Sequence, residues 1–101
     1  MAKGYVETID PELEGLVPIF LKNALQDLNH MQQALGERDF VTLARLGHSL
    51  KGAGLGYGFK GMADIGVRVE AAAKVWRLED LQALVQEFGN YLSQVTVRFE
   101  K

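Results

Sequence analysis

The chain has 101 residues, 48% of them hydrophobic and 24% charged, which is typical of one soluble globular domain and too short for two. The net charge of −2 lacks the basic excess of a nucleic-acid-binding protein, and the absence of cysteine excludes disulfides and thiolate chemistry. The sequence contains no run of about 18 apolar residues, the length needed to span a membrane. The N-terminal sequence lacks an export signal. We therefore expect a cytoplasmic protein forming a single domain over residues 1–101, with residues 1–8 loose.

The first predicted element is a short helix near the N-terminus. Asp10-Pro11-Glu12 is typical of a helix start, because Asp caps the first turn and Pro is tolerated within it. Pro18 predicts that the chain then restarts into a longer helix. Gly36 predicts the end of that helix, and Asp39 is a suitable cap for the next one.

Four stretches of apolar residues follow, each spaced by three or four positions as in amphipathic helices. They are Val17, Phe20, Leu21, Ala24, Leu28, Met31 and Leu35; Phe40, Leu43, Leu46, Gly47 and Leu50; Met62, Ile65, Gly66, Val69, Ala73 and Trp76; and Leu81, Leu84, Val85, Phe88, Tyr91, Leu92, Val95 and Phe99. No segment shows sustained period-two alternation, so no β-strand is predicted. The pattern predicts an all-α fold, an antiparallel up-down four-helix bundle with a short extra N-terminal helix. Trp76 and Phe88 are predicted core aromatics, and His30 is interpreted as structural.

The second long helix has an unusual outward face. At about 100° per residue, His48 lies roughly 140–160° around the helix from the leucines of its apolar stripe, so it points away from the core. Lys51 follows on the flank, and Gly52 lies beside His48 one turn later. Seven of the eleven glycines fall between Gly47 and Gly66. Close packing or helix termination explains Gly54, Gly56 and Gly58, but an outward Gly52 relieves no core crowding. It leaves room for a large partner to approach the imidazole.

This arrangement suits phosphoryl chemistry. Imidazole titrates near neutrality, so a nucleophilic nitrogen is available at cell pH. A phosphoryl group on that nitrogen would carry about −2 charges, which Lys51 would partly balance. A lone histidine is more often an ordinary surface residue, but Lys51 and Gly52 together favour the phosphoacceptor interpretation of His48.

The same residues resemble a known family. His48-Ser49-Leu50-Lys51-Gly52 matches the His-x-x-Lys-Gly signature of histidine phosphotransfer (HPt) domains, and the similarity extends over roughly residues 10–100. The resemblance implies that His48 is phosphorylated, that Lys51 is an electrostatic helper and that Gly52 provides clearance. The segment from His48 to Glu70 also resembles the phosphoacceptor domain of chemotaxis histidine kinases. There a glutamate at the place of Glu70 hydrogen-bonds the histidine and sets its tautomer; a solvated helix charge is the other interpretation of Glu70.

The resemblance further implies a function. The protein would be a monomeric phosphorelay intermediate that exchanges a phosphoryl group with the aspartate of a response-regulator receiver domain. A histidine kinase or hybrid kinase would be its other partner. The protein would be a carrier rather than an enzyme and would have no cofactor of its own, because the receiver supplies Mg²⁺. The segment Gly56–Gly61 fits Gly-x-Gly-x-x-Gly, but no predicted strand precedes it, and no P-loop sequence is present.

One alternative of another class remains. A non-catalytic helical interaction module would use the same outward face to dock a signalling partner without chemistry. In both cases the expected docking residues beside His48 are Val41, Arg45, Gly52 and Leu55. A metal site is not predicted, because the chain has two histidines and no Glu-x-x-His pair.

Overall fold

The computed structural model describes residues 4–101 as four long α-helices framed by two short strands. The elements are β1 (Tyr5–Ile9), a 3-10 helix (Pro11–Leu16), α1 (Val17–Gly36), α2 (Phe40–Tyr57), α3 (Lys60–Lys74), α4 (Leu78–Gln94) and β2 (Val95–Phe99). Each long helix packs against the next along the chain, and α4 closes the bundle against α1. The predicted four-helix bundle with a short extra N-terminal helix is confirmed. No helix among the described residues is both long and apolar enough to cross a membrane.

Two of the helices begin at the capping residues that the sequence predicts. The Asp10 side chain accepts a hydrogen bond from the backbone N–H of Glu12 at 2.9 Å at the start of the 3-10 helix. Asp39 accepts from the backbone N–H of Thr42 at 3.0 Å at the start of α2. These bonds satisfy N–H groups that have no partner inside the helix. Helix α2 ends at Gly58, whose φ of 89° is the left-handed conformation that glycine adopts without strain.

The core is built from the predicted apolar stripes. Its fully buried large side chains are Tyr91, Phe59, Phe88, Ile9, Met31, Leu43, Leu50, Met62, Ile65, Leu81 and Val69. The prediction for Phe88 is confirmed, but that for Trp76 is wrong. Trp76 is 74% exposed, because α3 ends at Lys74 and the helical spacing no longer applies two residues later. It has a φ of 58°, and its ring lies 6.3 Å from that of Phe40. His30 is exposed on α1.

The backbones of α2 and α3 approach each other unusually closely at three glycines. A Cβ atom at Gly47, Gly54 or Gly66 would lie 2.6–2.8 Å from a backbone atom of the facing helix. Only glycine permits this approach. The packing interpretation of Gly54 and the helix-ending role of Gly58 are therefore confirmed. The interpretation of Gly56 is wrong, because a Cβ atom there would meet nothing within 4 Å.

Two parallel strands join the ends of the described chain, contrary to the prediction of no strand. Tyr5 pairs with Val95 and Ile9 with Phe99. The expectation that residues 1–8 are loose is thus wrong for residues 5–8, and residues 1–3 lie outside the described part. The sequence predicts Val95 and Phe99 as part of the last helix, because a spacing of four places two residues on one face of a helix and also on one face of a strand.

One buried carboxylate ties these strands to the bundle. Glu7 on β1 is 6% exposed and accepts hydrogen bonds from the Tyr91 hydroxyl at 2.5 Å and the Gly61 backbone N–H at 2.8 Å. Gly61 lies in the first turn of α3, where the N-cap residue Phe59 supplies no side-chain acceptor. Glu7 therefore caps α3 from a distant strand. Burial and the Glu7 charge raise the pKa of Tyr91 far above its usual range. We call β1, β2 and Glu7 the terminal clasp.

Candidate functional site

His48 lies near the middle of α2 and points into solvent. Its side chain is 65% exposed, whereas its neighbours Gly47 and Leu50 are buried against the other helices. The outward orientation predicted from helical geometry is therefore correct. A large partner has free access to the imidazole from the solvent side.

Glu70 on α3 is the nearest carboxylate to that ring. Its Oε2 lies 3.2 Å, and its Oε1 3.4 Å, from His48 Nδ1, and its side chain is only 18% exposed. Gly47 permits this contact, because a Cβ atom there would lie 2.7 Å from the backbone nitrogen of Glu70. The glycine that precedes the histidine thus lets α3 bring Glu70 beside it.

The contact assigns different states to the two ring nitrogens. A carboxylate only accepts hydrogen bonds, so a neutral imidazole beside it carries its proton on Nδ1. The Nε2 lone pair is then unprotonated and faces away from Glu70, available as a nucleophile. The site therefore presents one basic nitrogen to the surface while the other is held by the protein.

Lys74, which the sequence analysis did not single out, shares the same carboxylate. Its Nζ lies 3.2 Å from Glu70 Oε2, and the two residues are one turn apart on α3. The hydrogen bond from Lys74, together with that from His48, holds the pKa of Glu70 below its usual value. The signal that could have found Lys74 is its i,i+4 spacing from Glu70.

Lys51 and Gly52 occupy the places that the helix predicts. Lys51 follows His48 by one turn, is half-buried, and forms no ion pair with any carboxylate of residues 4–101. A Cβ atom at Gly52 would meet nothing within 4 Å. The ammonium of Lys51 is thus uncommitted, and the surface beside the ring is open.

The expected docking residues form one continuous strip of α2. Val41 is 82% and Leu55 62% exposed, and Arg45 is exposed between Val41 and His48. Their spacings of three and four place them on the side that carries His48. The two apolar side chains therefore lie in solvent on either side of the polar His48 along this face of α2.

The described residues show no grouping suited to a metal. Among residues 4–101, no three His, Asp or Glu side chains lie close enough together to hold an ion. The glycine-rich segment of residues 56–61 covers the end of α2, the short connection and the start of α3, so it follows a helix. It therefore lacks the preceding strand that a dinucleotide-binding turn needs.

The chain is thus a four-helix bundle with an exposed histidine on its second long helix and a carboxylate of the third beside it. A sequence model described as the Hpt domain matches residues 15–97, most of the chain. The chain therefore belongs to the Hpt domain family, whose members are phosphocarriers in phosphorelays rather than kinases. Neither the curated proteins nor the solved structures contain a match to this sequence. Strand β1 lies before the matched region.

Proposed function

We propose that the protein is a phosphorelay intermediate that carries a phosphoryl group on Nε2 of His48 and exchanges it with the aspartate of a response-regulator receiver domain. The observation that carries the proposal is the exposed ring whose Nδ1 is held by Glu70 at 3.2 Å. Membership of the Hpt family supports it. A histidine kinase or hybrid kinase would be the other partner, and the chain would act as a monomer in the cytoplasm.

The transfer step balances without a cofactor in this chain. The Nε2 lone pair attacks the phosphorus of the receiver's aspartyl phosphate. An N–P bond forms as the acyl O–P bond breaks, and the electron pair of that bond returns to the aspartate carboxylate. In the reverse direction the aspartate attacks and the imidazole leaves. Mg²⁺ on the receiver neutralises charge on the phosphoryl group during the step.

Two neighbours of His48 assist in this proposal. Lys51 has no competing ion pair among the described residues, so its ammonium is available to the phosphoryl oxygens. Gly52 keeps the surface flat, so that the receiver brings its aspartate into line with Nε2. Val41, Arg45 and Leu55 would form the contact surface around them.

The deciding experiment is phosphotransfer from a labelled, phosphorylated receiver in the presence of Mg²⁺. Wild type is compared with His48→Gln, and His30→Gln is the matched control because His30 is the other exposed histidine. We expect acid-labile, base-stable label on wild type and His30→Gln and none on His48→Gln. Label that survives in His48→Gln would refute the assignment of the phosphoacceptor.

Two further variants test the assistance. Gly52→Gln is expected to abolish receiver binding by bulk while the fold remains intact, and Gly56→Gln is its control, since that glycine also faces open space on α2. Lys51→Ala is expected to slow transfer without unfolding, with exposed Lys22→Ala as its control. Normal transfer in Gly52→Gln or Lys51→Ala would contradict the corresponding role.

The same assays separate the alternative of a non-catalytic docking module. The exposed Val41 and Leu55 are the observation that favours docking in either case. A docking module would bind receivers without acquiring label, and His48→Gln would bind as well as wild type. A phosphocarrier binds, acquires label and loses it with His48.

A further inference from the structure

We infer that Lys74 is a positioning residue that acts on His48 through Glu70, holding the carboxylate against Nδ1 while opposing the protonation of Nε2. The inference rests on the proposed function, in which the neutral ring of His48 is the nucleophile. Its structural basis is a shared oxygen: Glu70 Oε2 lies 3.2 Å from Lys74 Nζ and 3.2 Å from His48 Nδ1.

A carboxylate beside a nucleophilic histidine has two opposing effects. It fixes the tautomer by accepting the Nδ1 proton, which leaves the Nε2 lone pair free. It also stabilises the imidazolium, because a negative charge within a few ångströms favours the cationic form of its neighbour. The imidazolium carries protons on both nitrogens and has no lone pair to attack phosphorus. Glu70 alone would orient the ring and, at the same time, reduce the fraction of it that reacts.

Lys74 separates these two effects. Its position one helical turn after Glu70 holds its ammonium on the carboxylate, so the acceptor remains ionised and fixed. The positive charge of Lys74 also offsets the negative charge of Glu70 near the imidazole ring. It therefore disfavours the addition of a second proton to His48. The pair therefore keeps the hydrogen bond that selects the tautomer and removes much of the net charge that would protonate the nucleophile.

Apart from His48 itself, Lys74 is the one cationic side chain of residues 4–101 that pairs with Glu70. On α2, Arg45 and Lys51 lie one turn before and one turn after His48. On α3, Arg68 is committed elsewhere, since it pairs with Asp64 at 3.0 Å and with Glu87 of α4 at 2.6 Å. Lys74 is the described cation within ion-pairing distance of the Glu70 carboxylate itself.

The test compares Lys74→Met, which keeps an unbranched side chain one atom shorter and removes its charge, with Lys74→Arg, which keeps the charge. The first readout is the ¹⁵N chemical shift of both His48 ring nitrogens, measured from about pH 5.5 to about pH 9. This range covers the pH values at which an imidazole gains or loses its second proton. At neutral pH we expect the ratio of cationic to neutral ring to rise about threefold in Lys74→Met, the size of one charge–charge interaction at an exposed site. The neutral ring should remain protonated on Nδ1, and Lys74→Arg should behave as wild type.

The second readout is the transfer rate from a phosphorylated receiver over the same pH range. In Lys74→Met the rising limb of the rate should move to higher pH by about 0.5 unit, with the wild-type rate recovered at the alkaline end. Unchanged ring shifts, or an equal loss of rate at every pH, would overturn the inference. The ring titration needs no phosphotransfer. A failure of the proposed function, seen as label on His48→Gln or as no label on wild type, is therefore distinguishable from a failure of the role of Lys74.

Discussion

Adding one methyl group at Gly66 tests how the site is assembled. The Cβ atom of Gly66→Ala would lie 2.6 Å from the backbone nitrogen of Lys51 and 2.7 Å from the carbonyl oxygen of Gly47, whereas ordinary contact begins at 3.4 Å. Both neighbours are backbone atoms, which cannot rotate away as a side chain does. Helices α2 and α3 therefore have to separate by several tenths of an ångström along the segment that holds His48 beside Glu70.

The magnitude follows from two opposing contributions. Alanine is better than glycine in a helix by about 1 kcal/mol, which favours the variant. Overpacking against a rigid neighbour costs about 1–3 kcal/mol or more, and loss of close α2–α3 packing adds to it. With the packing loss included, we expect a net destabilisation of about 1–2 kcal/mol, which lowers the Tm of a domain of this size by about 5–15 °C. The matched control is Gly52→Ala, which meets open space and should raise the Tm by a few degrees.

The stability of both variants is measured by thermal and urea unfolding, with circular dichroism as the signal. The urea slope shows whether the unfolded state has changed, so that a shift of midpoint reports the native state. A second consequence is a weakened contact between His48 and Glu70, visible in the ¹⁵N shifts of the ring. If Gly66→Ala is as stable as Gly52→Ala, the backbone contact is not what sets the spacing of the two helices.

Three further predictions concern other parts of the molecule. Glu7→Ala leaves the buried Tyr91 hydroxyl and the half-buried Gly61 N–H without their acceptor and should destabilise by roughly 2–4 kcal/mol in urea unfolding. Tyr91→Phe removes one donor and should cost about 1 kcal/mol. Equal stability of Glu7→Ala and wild type would contradict the capping role. Side-chain and backbone hydrogen bonds from Thr42 hold the pKa of Asp39 below 3.8. Its contribution to stability is therefore present above that pH and lost as the pH falls through the lower folded value, so Asp39→Asn should show a flatter acid limb in unfolding experiments. The sole tryptophan, Trp76, is 74% exposed, so iodide should quench the folded protein nearly as well as the unfolded one, and a shielded emission would contradict its position.

Local rules predicted the helical part of the fold. The caps at Asp10 and Asp39 and the stop at Gly58 depend on residues within a few positions of each other, which a sequence displays directly. The outward direction of His48 depends only on the 3.6-residue turn of its own helix. The approach of Glu70 depends on the neighbouring helix, and it was expected through a resemblance rather than from spacing.

Long-range contacts account for what the sequence did not disclose. Strands β1 and β2 are five residues each and pair across the two ends of the described chain, so neither has a strong local signal. The sequence predicts loose chain for residues 1–8 and a helical stripe that includes Val95 and Phe99. The buried Glu7 looks like an ordinary surface charge until Tyr91 and Gly61 are brought to it by the fold. Trp76 continues the apolar spacing of the third stripe, but α3 ends at Lys74, so helical geometry no longer determines which way Trp76 points.

The terminal clasp also determines how the domain bears a mechanical load. Because β1 and β2 run parallel, the chain enters the pair at Tyr5 and leaves it beside Ile9 at Phe99. Tension between those two points slides one strand along the other, so the evenly spaced hydrogen bonds of the parallel pair are strained together rather than opened one at a time. The force passes across the clasp and bypasses the four helices. We expect the helix pair that presents His48 to remain unstrained until the strands separate.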